Sequence, residues 1–312
     1  MPFVLFLLVG FLLLLLASGV YVFIVACVRR KEIPWLVEEE IKKTPYAKYA
    51  ALISNSDSWL KEHSAQDVYV TSDDGLRLHG LWVPVEKPKG TVLLVHGYRS
   101  TVLVDFGLAL EFYHMLGMNV LLPEHRSHGK SEGKYITFGV KESADMCMWI
   151  HWHNQQFGAL PTVVSGMSMG ASTVMYMADI PLPENVKCLI ADCGFTSPYD
   201  IISVVFRKTT HLPALLSLKI TNILTRLFAG FGLKDKDSRR SLKNSRLPVF
   251  IIHGTADDFV PCEMSREAYA VCTDPKQVLY VEGAGHGVSF VVAPEKYAQM
   301  LAEFIHKYAG VE

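Results

Sequence analysis

Short apolar runs alternate with helix-length segments along most of this chain. The runs Thr91–Val95, Val120–Leu122, Thr162–Ser165, Cys188–Ala191, Val249–Ile252 and Val278–Val281 are continuous rather than alternating. That pattern marks strands covered by helices on both faces. Ahead of them, residues 68–71 and 76–83 flank Ser72-Asp73-Asp74-Gly75 and predict a hairpin with turn chemistry at its centre. Strand–helix alternation of this kind predicts a doubly wound, mostly parallel α/β sheet. On such sheets ligands bind beyond the carboxyl ends of the strands. One interval breaks the rhythm: between Phe195 and Leu247 about fifty residues separate two strands, more than a single crossover helix needs. Within it Leu216, Ile220, Ile223, Leu224, Leu227, Phe228 and Phe231 recur at spacings of three and four. A helical cap inserted over the strand ends, at about residues 196–246, is the expectation.

The first residues follow a different rule. From Phe3 to Val28 there are 26 residues without a charge, and roughly 20 suffice to cross the hydrocarbon core of a bilayer. No Lys or Arg precedes the run, and it exceeds the apolar stretch of a secretory signal. Residues 1–31 are therefore expected to be a single uncleaved transmembrane anchor. Arg29, Arg30 and Lys31 follow at once, and basic flanks favour the cytoplasmic side, so the catalytic body is expected in the cytoplasm. Residues 32–66 are mixed and polar around Pro34 and Pro45 and predict a helical stalk, leaving 67–312 for the α/β domain.

Composition narrows the function classes. A net charge of −1 over 312 residues, half of them apolar, excludes a disordered tail and argues against nucleic acid as a partner. Six cysteines (27, 147, 188, 193, 262 and 272) include no C-x-x-C pair, so buried thiols are expected rather than a metal or redox motif. From Asp200 to Arg246 ten Lys or Arg stand against three Asp, making the cap strongly basic in an otherwise acidic chain.

The chemistry-bearing residues lie after the strands. Gly166-Met167-Ser168-Met169-Gly170 joins the run 162–165 to a helical stretch, 171–178. A G-x-S-x-G at a strand-to-helix turn holds its serine on a strained elbow, so Ser168 is the candidate nucleophile. A serine hydroxyl needs a base. His286, within Gly283-Ala284-Gly285-His286-Gly287, sits in a loop after the last strand, whereas His151, His153, His211 and His306 lie in helix-like segments. The acid that orients the imidazole should fall between the two. Asp257 is preferred there over its neighbour Asp258, with Asp192 as a third candidate. Donors for a developing oxyanion are expected from the backbone N–H of Met169 and of Tyr98, the latter in the loop His96-Gly97-Tyr98-Arg99-Ser100.

Together with Glu124-His125-Arg126-Ser127-His128-Gly129-Lys130-Ser131, these motifs make the chain resemble the capped α/β-hydrolases, nearest the serine aminopeptidase-like and monoacylglycerol-lipase-like enzymes. The resemblance covers residues from about 67 to the C-terminus. It departs from the lipase-like pattern at Met167 and Ala171, where His and Gly are usual, and at Glu124 and Ser127. It implies two-step acyl transfer at an ester, thioester or amide, with a small-molecule acyl substrate and no metal or other cofactor. A basic cap tethered near the inner leaflet would be drawn to anionic lipid, which favours acyl substrates taken from the membrane. Removal of residues 1–31 should then spare activity on a short soluble ester. The alternatives are a serine peptidase for short peptides and a non-catalytic binding protein with the same fold.

Overall fold

The computed structural model describes residues 2–30, 58–210, 212–273 and 275–311, with the single positions 39, 42, 47 and 50. The stalk expected over 32–66 falls mostly outside these residues, as does His211. The first helix, α1, is Pro2–Cys27. Eight strands follow: β1 (Gln66–Thr71), β2 (Arg77–Val83), β3 (Gly90–Val95), β4 (Met118–Pro123), β5 (Thr162–Met167), β6 (Val186–Asp192), β7 (Val249–Gly254) and β8 (Lys276–Val281). They form one sheet in the order β1-β2-β4-β3-β5-β6-β7-β8. β2 runs antiparallel to both β1 and β4, and the remaining pairs are parallel.

The continuous apolar runs reflect burial on both faces. Val92 and Leu94 of β3 join one core cluster while Leu93 and Val95 join the other, the period-two alternation of a pleated strand. Helices α2 (Val102–Phe106), α3 (Leu110–Met115), α4 (Glu142–Phe157) and α5 (Met169–Met177) connect the early strands. Tyr113 of α3 packs in the first cluster, and Met146, Trp149 and Ile150 of α4 pack in the second.

Between β6 and β7 stand α6 (Pro198–Thr209), α7 (Ala214–Leu224), a π-helical turn (Thr225–Ala229) and α8 (Ser238–Lys243). Beyond β7 come α9 (Cys262–Val271), α10 (Ser289–Val292) and α11 (Pro294–Ala309). The insertion differs from expectation in which face it hides. Ser217, Leu218, Thr221 and Thr225 are buried, whereas Leu216 (41%), Ile223 (55%), Leu227 (73%) and Phe228 (58%) are exposed. The reason is the partner. α7 packs against α1, with Ser18 Oγ 2.7 Å from Ser217 Oγ and Thr221 Oγ1 donating to the Gly19 carbonyl at 3.1 Å. So close an approach needs short side chains at the contact, and Leu216, Ile223, Leu227 and Phe228 turn outward. The basic residues are also differently employed: Arg226 pairs with Asp235, Lys236 with Asp179, and Arg239 with Asp200, Asp237 and Glu267.

Register brings the strand ends together. Val95 of β3 lies beside Gly166 of β5, and Met167 beside Asp192 of β6. Gly254 of β7 lies beside Val281 of β8. The loops that follow β3, β5, β6, β7 and β8 therefore meet at one edge of the sheet.

Candidate active site

Ser168 caps the N-terminus of α5 with φ 55° and ψ −116°, a left-handed conformation rare for a residue with a Cβ. Its N–H donates to the Asp192 carbonyl at 2.8 Å, tying the elbow to the end of β6. The flanking glycines are sterically required. A Cβ on Gly170 would lie 1.8 Å from the Val95 carbonyl oxygen, and one on Gly166 would lie 2.3 Å from that of Gly170. The turn thus passes against both the β3 end and its own helix, leaving Ser168 8% exposed.

His286 reaches the elbow from the loop after β8. Its Nε2 is 3.0 Å from Ser168 Oγ and its Nδ1 is 2.7 Å from Asp257 Oδ2. A carboxylate can only accept here, so Nδ1 carries the proton and Nε2 presents its lone pair to the serine hydroxyl. Asp257 is held by its own loop, Oδ1 accepting from the N–H groups of Phe259 and Val260 at 2.9 Å each. Burial opposes its charge, yet hydrogen bonds from His253 and His286 and the charge of His286 outweigh that and hold the carboxyl well below its usual range. Asp258 is exposed. Asp192 is buried behind the elbow, accepts from Tyr297 at 3.1 Å and Ser289 at 3.4 Å, and is pushed by burial up to about 6. Of the three carboxylates, Asp257 is the one that meets the imidazole.

The two expected oxyanion donors also gather here. Met169 opens α5, so its N–H lies at the positive end of the helix. The loop after β3 passes against the serine: a Cβ on Gly97 would be 3.2 Å from Ser168 Cβ, and Tyr98 is the next residue. The Tyr98 phenol points elsewhere. It stacks on Phe138 and donates to the Ala26 carbonyl at 2.9 Å.

A family model for the alpha/beta hydrolase fold matches residues 90–206. The Pyrococcus furiosus esterase Pf2001 superposes with a TM-score of 0.66 at 25% identity, covering 80% of this chain and 94% of that one. The chain has the α/β-hydrolase fold. Among curated relatives of this hydrolase, the uncharacterized protein YqkD of Bacillus subtilis is 25% identical over 240 residues, 76% of this chain and 77% of the relative. The uncharacterized protein Rv2307c of Mycobacterium tuberculosis is 29% identical over 279 residues, 87% and 85% of the two chains.

Several residues that support this α/β-hydrolase site carry no sequence motif. Asp105, in the first turn of α2, accepts from Gly97 N at 2.5 Å and Ser100 Oγ at 2.6 Å, and so fixes the loop that carries Tyr98. Burial pushes its carboxyl up to about 6. His253, at the end of β7, places Nε2 2.9 Å from the Val260 carbonyl and 3.2 Å from Asp257 Oδ2, a second imidazole on the same carboxylate. Neither residue differs in the sequence from an ordinary helix-start acid or strand-end histidine.

The resemblance-bearing histidines form a buried cluster, with His96 ring centroids 4.6 Å from His125 and 5.0 Å from His128. His128 Nε2 accepts from Arg99 N, and His96 Nε2 accepts from His125 N. Burial lowers His96 to about 4, against its hydrogen bond to Gly97 and the charge of Glu124, and burial followed by the charge of His96 lowers His128 to about 3. They brace the loops as neutral rings.

Among the described residues, one grouping could hold a metal: ligand atoms of Cys193, Asp257 and His286 lie within 4.8 Å of one another. Two are already engaged with each other. Burial, then the charges of Asp192 and Asp257, push the Cys193 thiol well up, against the thiolate a metal needs. Beside the triad lies a small cavity of about 40 Å³, lined by Val104, Asp105, Leu108, Met167, Val288 and Tyr297 among others.

The expectation that α1 is a separable anchor meets a physical obstacle. Arg99 donates to the carbonyls of Val25 and Val28 at 2.8 and 3.0 Å, and the Ile136 N–H donates to that of Cys27 at 2.7 Å. Val22, Phe23 and Cys27 share a core cluster with Met169, Phe138 and Phe195. The C-terminal half of α1 thus packs against the segments that carry Tyr98 and Met169.

Proposed function

We propose that this α/β-hydrolase is a serine esterase that cleaves carboxylic esters through an acyl-enzyme. The observation that carries the reading is the continuous hydrogen-bonded series Ser168–His286–Asp257 at a strained elbow. Ser168 Oγ attacks the ester carbonyl while His286 Nε2 takes its proton. The N–H groups of Met169 and Tyr98 receive the oxyanion. His286 then protonates the departing alcohol, and in the second step it draws a proton from water to release the acid. Asp257 holds the tautomer and stabilises the imidazolium. The esterase named among the structural neighbours supports an ester over an amide.

The same reading takes α1 as a membrane anchor, since Phe3–Cys27 is long and apolar enough to span. It places the domain on the cytoplasmic side, from the basic residues that follow. The test is fluorophosphonate labelling of wild type and Ser168→Ala in parallel. Labelling of wild type alone is expected. Equal labelling of both, or of neither, would refute Ser168 as an activated nucleophile.

A further inference from the structure

The anchor is too short where it is free. Residues 3–14 of α1 are exposed on every side, and from Leu15 onward the helix is increasingly covered by the cap. Twelve residues rise about 18 Å at about 1.5 Å each, while the hydrocarbon core is about 30 Å thick. Leu15 to Val22, the next eight residues of the same helix, supply a further 12 Å or so. That is the stretch against which α7 lies.

The contact itself has the character of a helix pair in lipid. Gly19 gives α7 its close approach: a Cβ there would fall 2.6 Å from Ile220 Cβ and 2.9 Å from the Ser217 carbonyl oxygen. Ser18, Ser217 and Thr221 hydrogen-bond across the interface. Small residues and hydroxyls at the seam are what associates helices when apolar burial supplies no gain. The outer face fits the same solvent. Leu215, Leu216, Ile223, Leu227 and Phe228 are exposed and continuous with exposed Tyr21 and Ile24 of α1, and Phe228 meets Phe23 at 5.9 Å between ring centroids. Over Ala214–Ala229 the charges are Lys219, whose stem can carry its ammonium outward to the headgroups, and Arg226, which is ion-paired with Asp235.

We infer that α7 and the π-helical turn after it are embedded in the lipid bilayer beside α1, with Leu215, Leu216, Ile223, Leu227 and Phe228 in hydrocarbon. The occupant of this apolar face is acyl chain, not a second protein. The cap is thus held by the leaflet on its outer side, next to the loop that carries Tyr98. The inference rests on reading α1 as a membrane anchor.

The test uses the full chain reconstituted in phosphatidylcholine vesicles whose acyl chains are brominated, a quencher confined to hydrocarbon. Leu8→Trp reports α1, and Leu216→Trp and Leu227→Trp report the cap, each read as emission added over wild type and compared with unbrominated vesicles. Loss of the added emission in all three is expected. Quenching of Leu8→Trp with full emission from both cap reporters would overturn the embedded cap and leave the anchor standing. Full emission from all three would overturn both. Retained fluorophosphonate labelling of each variant shows that it is folded.

Discussion

At the scale of single residues the site depends on which nitrogen carries a proton. Asp257 is the group that decides this, because it accepts from His286 Nδ1 at 2.7 Å with its other oxygen fully occupied by two backbone N–H groups. Asp257→Asn is near in shape but offers an amide donor, which stabilises the wrong tautomer. Its kcat on a short ester should fall by about 10³–10⁴-fold with KM little changed, measured by steady-state kinetics. A comparable fall for Asp258→Asn, whose side chain is exposed, would contradict the assignment. The buried histidines make a different prediction. His128 falls to about 3 in the folded chain, against an ordinary value near 6.5, so below pH 6.5 protons bind the unfolded chain in preference. Its contribution to stability is intact above that pH and is lost as pH falls towards 3. His128→Gln should therefore be the less stable protein at pH 7.5. The gap to wild type should narrow between pH 6.5 and 4 in denaturant titrations. Ser168, Asp257 and His286 were legible because motif, chain order and position after a strand constrain them. Asp105 and His253 were not, since their roles exist only where separate loops meet.

At the scale of elements the elbow and α1 show opposite kinds of legibility. The elbow announces itself, because a turn that presses Gly170 against the Val95 carbonyl admits no side chain there, and a glycine can be read off a sequence. The role of α1 is hidden. Its composition gives length and apolarity but not its partner, and its docking on α7 uses Ser18 and Gly19, which look unremarkable in an apolar run. Arg99 adds a favourable charge at the C-terminal end of α1 by binding the Val25 and Val28 carbonyls. The apolar N-terminal helix is thereby joined to the loop of the expected oxyanion donor. Deletion of residues 2–30 should accordingly lower activity even on a short soluble ester and expose Val260, Phe138 and Phe206 of the shared cluster. Turnover per labelled active site and dye binding to exposed apolar surface would measure this. Undiminished turnover would mean that α1 is a tether and nothing more.

At the scale of the whole molecule the sheet places everything else. Its parallel strands end at one edge, and five loops from residues nearly two hundred apart meet there. A near-neutral net charge concealed a basic cap, yet Arg226, Lys236 and Arg239 are spent on ion pairs within the protein. The amino-acid sequence alone determined the α/β class, the strand positions, the elbow, and the acid and base loops. Each of these is a local constraint of period, turn chemistry or chain order. Tertiary structure alone decided which face of the cap is hidden, that the Tyr98 phenol turns to α1 rather than to a substrate, and that half of the apolar N-terminal helix packs on the segments carrying Tyr98 and Met169. Those outcomes depend on what lies across a contact, and a spacing of three and four shows that a helix has an apolar face without saying whether protein or lipid will cover it.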